Sequence, residues 1–390
     1  MNKKLGLAVA GALVAFSSAA NAGITVPAGD WTLDFGGNVN AFYTHTSTTG
    51  VSANTNTVQT GLLPSAIGIG GKTRQNDLDV AFQFTFFVGS DSSNVLGNSA
   101  NGLGAGGNNS LNIRQAFMTV GDASWGQIKL GRDLGVFGSD AILSDMTLLG
   151  VGTAAGANGS STLGRIGSGY QYADWIGQIQ YSTPNWNGFQ VTGSLNQPWV
   201  NASGANGDQT NSNIGWQGKA TYDFAANDVT GRVWVSGITQ KHDAATGTAA
   251  YTSNGYDLGA KVSYQGASLV GYYYDGEGLS GARGALNGLL FLQGNKSKDS
   301  GGYVQATFAV PGIGTKLGAS WGESLSTPVG VSGATEYKSE AWIVGAYHPL
   351  TKSVNLVAEY TNTDRTGAAS NTSTASATSK TVSLGAIMFF

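Results

Sequence analysis

Hydrolytic and metal chemistry is mostly built from histidine, cysteine and clustered carboxylates, and this chain of 390 residues uses them sparingly. It has three histidines, His45, His242 and His348, and no cysteine. The histidines are far apart: the first two sit near polar loops, and the third precedes Pro349 at a turn. A triad hydrolase needs a His placed with a carboxylate or Ser, and no segment marks such a set. Without a His cluster or cysteine there is no ligand pattern for a metal, and no cofactor is implied. Gly71-Lys72-Thr73 echoes a phosphate loop, but the earlier glycine of that motif is here Ala66 and no helix follows. The expected chemistry is therefore not enzymatic.

The elements that position the remaining charged residues are read from periodicity. In Asp77–Val88, Leu78, Val80, Phe82, Phe84 and Phe86 share one face, while Asp79, Gln83 and Thr85 lie on the other. Phe189-Val191-Leu195, Leu258-Ala260-Val262-Tyr264 and Val354-Leu356-Ala358-Tyr360 alternate with polar residues in the same way. A two-residue period belongs to strands with unlike faces. Sixteen strands are predicted, near 30–45, 61–72, 76–89, 110–122, 126–133, 169–182, 188–196, 215–224, 229–240, 255–265, 267–275, 301–310, 315–322, 337–348, 353–361 and 380–390. Short turns such as Gln265-Gly266 and Pro349–Lys352 alternate with long Gly/Ser/Asn/Thr loops, near 46–60, 90–109, 134–168, 197–214, 241–254, 276–300, 323–336 and 362–378. Turns at one end and loops at the other describe an all-β transmembrane antiparallel β-barrel, with the turns periplasmic. Sixteen strands enclose a water-filled lumen.

Composition agrees. Charged residues make up 11% of the chain, against roughly 25% in ordinary soluble domains, and mean hydropathy is −0.07. Sixty glycines fit loop-rich β-structure, and 10% aromatics argue against a low-complexity secreted chain. Lys3 and Lys4 precede an apolar run, Leu5–Phe16, and the triplet Ala20-Asn21-Ala22. That pattern is a cleavable secretory signal over 1–22, leaving a single barrel domain over 23–390. Without Lys3 and Lys4, 18 basic residues face 23 acidic ones, a net charge of −5. So weak and mixed a balance implies no nucleic-acid partner.

The stretch Leu111–Phe117, with Gln127-Ile-Lys-Leu-Gly-Arg-Asp133, Gly135–Asp140, Leu143–Met146, Leu163–Gly169 and Gln178–Gly188, resembles the Gram-negative general diffusion porins. So does the terminal strand Lys380–Phe390, which ends on an aromatic residue. The resemblance implies an outer-membrane barrel whose third loop, 134–166, folds into the lumen and narrows it. It implies that Arg132 and Arg165 line the constriction, with Arg114 a wall residue beside them, and that Phe390 is the signal read during assembly. Asp140 and Asp145 are the loop carboxylates that would face them, with Asp133 at the loop's base. Arginines facing carboxylates across a narrow passage set up a transverse field that filters solutes. Equally, these charges would serve simply to anchor the loop. Arg132 shares its strand face with Ile128 and Leu130, so it reaches the lumen only through a break or bulge at Gly131. Lys129, on the polar face, tilts the balance towards anions.

Two departures from the family weaken that field. Ala66 stands where enterobacterial members carry an arginine, and the acidic loop tip is here Thr147–Gly152, with no carboxylate. The function implied is passive diffusion of small hydrophilic solutes and ions. The alternatives are a channel specific for a sugar, phosphate or organic acid, and a structural or adhesive surface barrel. The implied partners are outer-membrane lipid and two further copies in a homotrimer. Gln115, whose parity places it outward beside Phe117, would support that packing, since a polar side chain there prefers protein to lipid.

Overall fold

The computed structural model describes residues 23–89, 111–154, 161–198, 213–243, 250–279, 296–330, 335–370, 373–374 and 376–390; the signal segment 1–22 lies outside them. Its strands are β1 (Ile24–Ala28), β2 (Trp31–Thr48), β3 (Thr55–Gln59), β4 (Ser65–Gln75), β5 (Leu78–Val88), β6 (Asn112–Asp122) and β7 (Gly126–Leu134). A short helix, α1 (Ser139–Ser144), follows before β8 (Trp175–Ser182), β9 (Phe189–Asn196), β10 (Gly215–Ala226), β11 (Val229–His242), β12 (Tyr251–Tyr264) and β13 (Ala267–Glu277). The remainder are β14 (Ser297–Ala309), β15 (Lys316–Pro328), β16 (Tyr337–Pro349), β17 (Val354–Thr366), the small pair β18 (Ala368–Ser370) and β19 (Ser373–Thr374), and β20 (Ala377–Phe389).

Hydrogen bonding runs from neighbour to neighbour and closes on β2. One edge of β2 takes β20 along Asn38–Thr48 and β1 along Trp31–Phe35. Its other edge takes β4 along Thr32–Asn38 and β3 along Phe42–Thr46. β1 thus continues the line of β20, and β3 that of β4. Counted so, the molecule is the closed antiparallel barrel of sixteen strands that the periodicity predicts. Closure leaves the barrel sheet no free edge strand among the described residues, the condition for β-structure in lipid.

Burial is inverted relative to a soluble protein. Among described residues, Asn38, Thr44, Gln83, Thr85, Gln178 and Ser236 are buried, whereas Val39, Ile67, Phe84, Ile179, Leu258, Val304 and Leu384 are exposed. The outer face is lipid-facing and apolar; the inner face is polar. Exposed Trp125, Trp186, Tyr222, Tyr264 and Phe308 cluster at the turn end, where amphipathic rings suit the interface.

Boundaries differ where local chemistry intervenes. The hairpin at Asn76-Asp77 has φ of 48° and 61°, so the predicted strand from 76 begins instead at Leu78. The predicted strand from 61 begins at Ser65, because the amide of Leu62 and the carbonyl of Gly61 bond to loop residues Gly150 and Thr162. Likewise the strand predicted from 169 starts at Trp175.

Closure also demands space. The Phe390 amide donates to Gly37 O at 3.1 Å and the Gly37 amide donates to Phe390 O at 2.9 Å. A Cβ on Gly37 would lie 2.2 Å from Ala66 O and 2.9 Å from the Phe390 ring. Gly37→Val is expected to abolish the compact, heat-modifiable band on a denaturing gel. Gly193→Ala, where a Cβ meets nothing within 4 Å, should leave it intact.

Candidate functional site

After β7 the chain turns inward. The Phe137 amide donates to Gln217 of β10 at 2.7 Å and the Gly138 amide to Asp257 of β12 at 2.9 Å. Gly138, at φ 76°, starts α1, and Asp140 sits in its first turn, where a carboxylate suits the helix dipole. Asp140 is ion-paired with Lys219 of β10 at 2.6 Å and Arg232 of β11 at 3.0 Å. Burial works to raise its pKa, but the two cations outweigh burial and hold the carboxyl below its usual range.

Asp145 joins the two limbs of the loop. Its Oδ1 accepts the Thr147 amide at 2.9 Å, capping the single 3₁₀ turn Met146–Leu149. Its Oδ2 accepts the Tyr170 hydroxyl at 2.8 Å and the Arg165 amide at 3.3 Å. Arg165 is wholly buried. Its Nε donates to Ser320, and Nη1 donates to Ser168 O at 3.2 Å and to Ala341 O at 3.1 Å. Burial pushes this guanidinium's pKa down, with Asp145 opposing. Arg165 therefore fastens the returning limb to β15 and β16.

The loop tip carries no carboxylate, and the wall supplies one. Glu359 of β17 accepts the Val151 and Gly152 amides at 2.8 and 2.7 Å and the Tyr347 hydroxyl at 2.7 Å. Gly150 allows this approach, since a Cβ there would lie 2.1 Å from the Glu359 carboxylate. Apolar contacts complete the docking: Phe137, Ile142, Ile166 and Tyr170 pack with Trp234, Tyr272, Tyr274 and Tyr303 of the wall.

The other predicted residues are distributed differently. Lys129 and Asp133 pair at 2.5 Å on the inner face of β7, and Gln115 donates to Asp133 at 2.9 Å. Gln115 points inward, accepting from Thr85 at 2.6 Å, which corrects its outward assignment. The reason is Phe117, which shares Gln115's face and is itself buried, with the Lys129 ammonium 4.9 Å from its ring. The β5–β6 bulge lies beyond Gln115, where the register shifts between Thr85 and Phe86 and skips Arg114. Arg114 lies at that bulge with its guanidinium carbon 4.8 Å from the Phe87 ring. Arg132 does not turn inward. Gly131 has φ 127°, yet the ladder passes it without a shift, pairing Arg132 with Ala116 and Gly177, and Arg132 is exposed with outward parity. Asp140, Asp145 and Arg165 thus gather in the loop, while Lys129 with Asp133, Arg114 and Arg132 occupy three other places.

Sequence reasoning missed Lys219, Arg232, Asp257, Gln305 and Glu359. All project from the polar faces of late strands, and parity was their sole signal.

A model of the Gram-negative porin family matches residues 8–368. The chain belongs to the Gram-negative porin family. It is an outer-membrane channel. Among solved structures, OmpF of Salmonella typhi, in complex with daunomycin, superposes with a TM-score of 0.65 at 18% identity, covering 94% of this chain and 100% of that one. OmpT of Vibrio cholerae gives 0.59 at 14%, over 94% and 100%. The channel DcaP of Acinetobacter baumannii gives 0.58 at 12%, over 92% and 98%. No curated protein matches the chain. At these identities the structures establish the fold.

In this porin the turn-side end of the lumen holds a cavity of about 560 Å³ bounded by the loop's Ile142–Met146 and by Lys261 and Lys316 of the wall. Glu359→Ala removes the acceptor for three donors, each charge-assisted bond being worth about 1.5–3 kcal/mol. A freed tip should give larger, noisier single-channel currents than the parent porin.

The Asp140 anchor has a predictable acid limit. A carboxyl whose folded pKa is depressed contributes stability above its unfolded value, and that stability is lost as pH falls through the folded one. Current noise should therefore stay flat from neutral pH down to the ordinary value of 3.8 and rise only below it. Asp140→Asn should be noisy at neutral pH already and lose this acid step.

Proposed function

We propose that the porin is a passive diffusion channel for small hydrophilic solutes and ions, narrowed by residues 134–166 and leaning towards anions. One observation carries the anion preference. The inner carboxylates are occupied: Asp133 by Lys129, Asp140 and Asp223 by Lys219 and Arg232, and Glu359 by loop amides. Lys261 and Lys316 project into the lumen with no carboxylate partner among the described residues. The field along the pore is then positive on the β12–β15 side. A planar bilayer separating unequal KCl solutions tests this reading. The expected result is a steady, non-saturating conductance with a reversal potential of the anionic sign. A cationic sign would overturn the preference, and a barrel without conductance would favour the adhesive role.

The same reading takes 1–22 as a signal removed on export. Gly23 and the Phe390 carbonyl both lie beside Gly36, so cleavage after Ala22 would leave the first mature residue in line with β20. Sequencing the N-terminus of the purified protein should return Gly23 first.

We also propose a homotrimer, assembled through the wall at β7–β9. These strands have 9, 8 and 8 residues, at or below the roughly 9–11 that a tilted span requires. Arg132 faces outward from this low wall, and an arginine against lipid costs about 2–4 kcal/mol near the midplane. A neighbouring copy would supply protein in place of lipid. Arg132→Glu should convert a trimer in mild detergent to monomers; a trimer that survives unchanged places the contact elsewhere.

A further inference from the structure

The turn-side cavity has two unlike linings. The underside of the inner loop presents Ile142, Leu143, Leu148 and Leu149, all apolar. The strands present Lys261 and Lys316 with the hydroxyls of Ser263 and Thr307. Lys261 stands directly across the ladder from Arg232, an arrangement of like charges that destabilises an antiparallel pair. Arg232 is satisfied by Asp140 and Asp223, whereas Lys261 meets no carboxylate among the described residues. The Lys316 ammonium rests 5.0 Å from the Tyr347 ring and is repelled by Lys261. Two carboxylates do border the space. Asp145 is engaged by Thr147, Arg165 and Tyr170, and Asp228, in the β11 turn, accepts from Gln265 at 3.4 Å. Neither is ion-paired with the lysines.

We propose that this cavity is a binding station for small carboxylates with an apolar body, the carboxylate between Lys261 and Lys316 and the hydrocarbon against the loop's underside. Partly desolvated ammonium groups without a counter-charge gain most from an anion. A mineral anion would use the lysines and leave the leucines in water. A sugar would find few polar groups without an existing partner, since Gln305 is committed to Ser144 and Met146. Only a solute carrying both characters uses both linings, and the volume of about 560 Å³ admits a ring-sized acid with water around it. The station deepens the anion-leaning channel reading and rests on it.

The test is single-channel recording in KCl with sodium benzoate added on the turn side. Acetate carries the charge without the ring, and benzyl alcohol the ring without the charge. Benzoate is expected to block saturably at a concentration at least about tenfold below acetate, with benzyl alcohol inert, in line with burial of a ring-sized apolar surface. Lys261→Gln with Lys316→Gln should raise the half-blocking benzoate concentration by about tenfold or more, and Lys261→Arg with Lys316→Arg should restore the block. Leu143→Ser should weaken benzoate block and leave acetate unchanged. Equal block by benzoate and acetate, or benzoate block indifferent to the glutamine pair, overturns the station. Both of those results require a conducting pore, so they leave the channel reading standing. A protein with no KCl conductance would instead remove the channel reading, and the station with it.

Discussion

The structure depends on one constraint: a main-chain amide or carbonyl inside the hydrocarbon layer has no water to bond. Every strand must therefore have two neighbours, and β2 is where that requirement is met last. Each of its edges is shared between two segments, β20 with β1 on one side and β4 with β3 on the other. The breaks between those segments do different work. At the first, Phe390 exchanges both of its main-chain bonds with Gly37, so the ladder of β20 runs on to the point where β1 takes over. At the second, residues 60–64 leave the ladder, and Gly61 and Leu62 bond to the inner loop instead. The line of strand beside β2 thus offers the loop a backbone docking place.

The loop sets the electrostatics of the lumen by what it consumes. A carboxylate that accepts two amides, as Glu359 does, or caps a turn and takes a tyrosine hydroxyl, as Asp145 does, has its lone pairs directed at the loop. Its charge is largely spent on those donors and projects weakly into the passage. Anchoring the loop and facing the pore are competing uses of one group. In this molecule Asp140, Asp145, Asp257 and Glu359 take the first use, and Lys261 and Lys316 are left to the second.

The fold was legible because lipid and water impose opposite demands on alternate residues; Phe84 and Gln83 in β5 show both. Parity carries that signal only while the ladder is regular. Gln115 reads as outward because it shares a face with the aromatic Phe117, and that ring lies on the inner face beside Lys129. Arg132 was referred to a bulge at Gly131 that the ladder does not contain, despite the positive φ there. The anchors were illegible for another reason. Asp145 and Glu359 are 214 positions apart by their numbers, and only closure of the barrel brings the loop to β17. A single sequence records that Glu359 faces inward; what it faces is a property of the closed ring.

The spread of anchors has its own mechanical consequence. Asp140 holds α1 to β10 and β11, Arg165 holds the return to β15 and β16, and Glu359 holds the tip to β17. Each engages a different sector of a rigid sheet, and Asp145 ties the outgoing limb to the returning one. Contacts this far apart without shared partners contribute almost independently. Losing one should therefore release one stretch of loop while the other sectors hold the rest, so the passage loosens in steps. A loop fixed at a single cluster would swing free as a whole. The distribution of charge around the wall, more than the strength of any one pair, is what makes the inner loop a fixed part of the barrel.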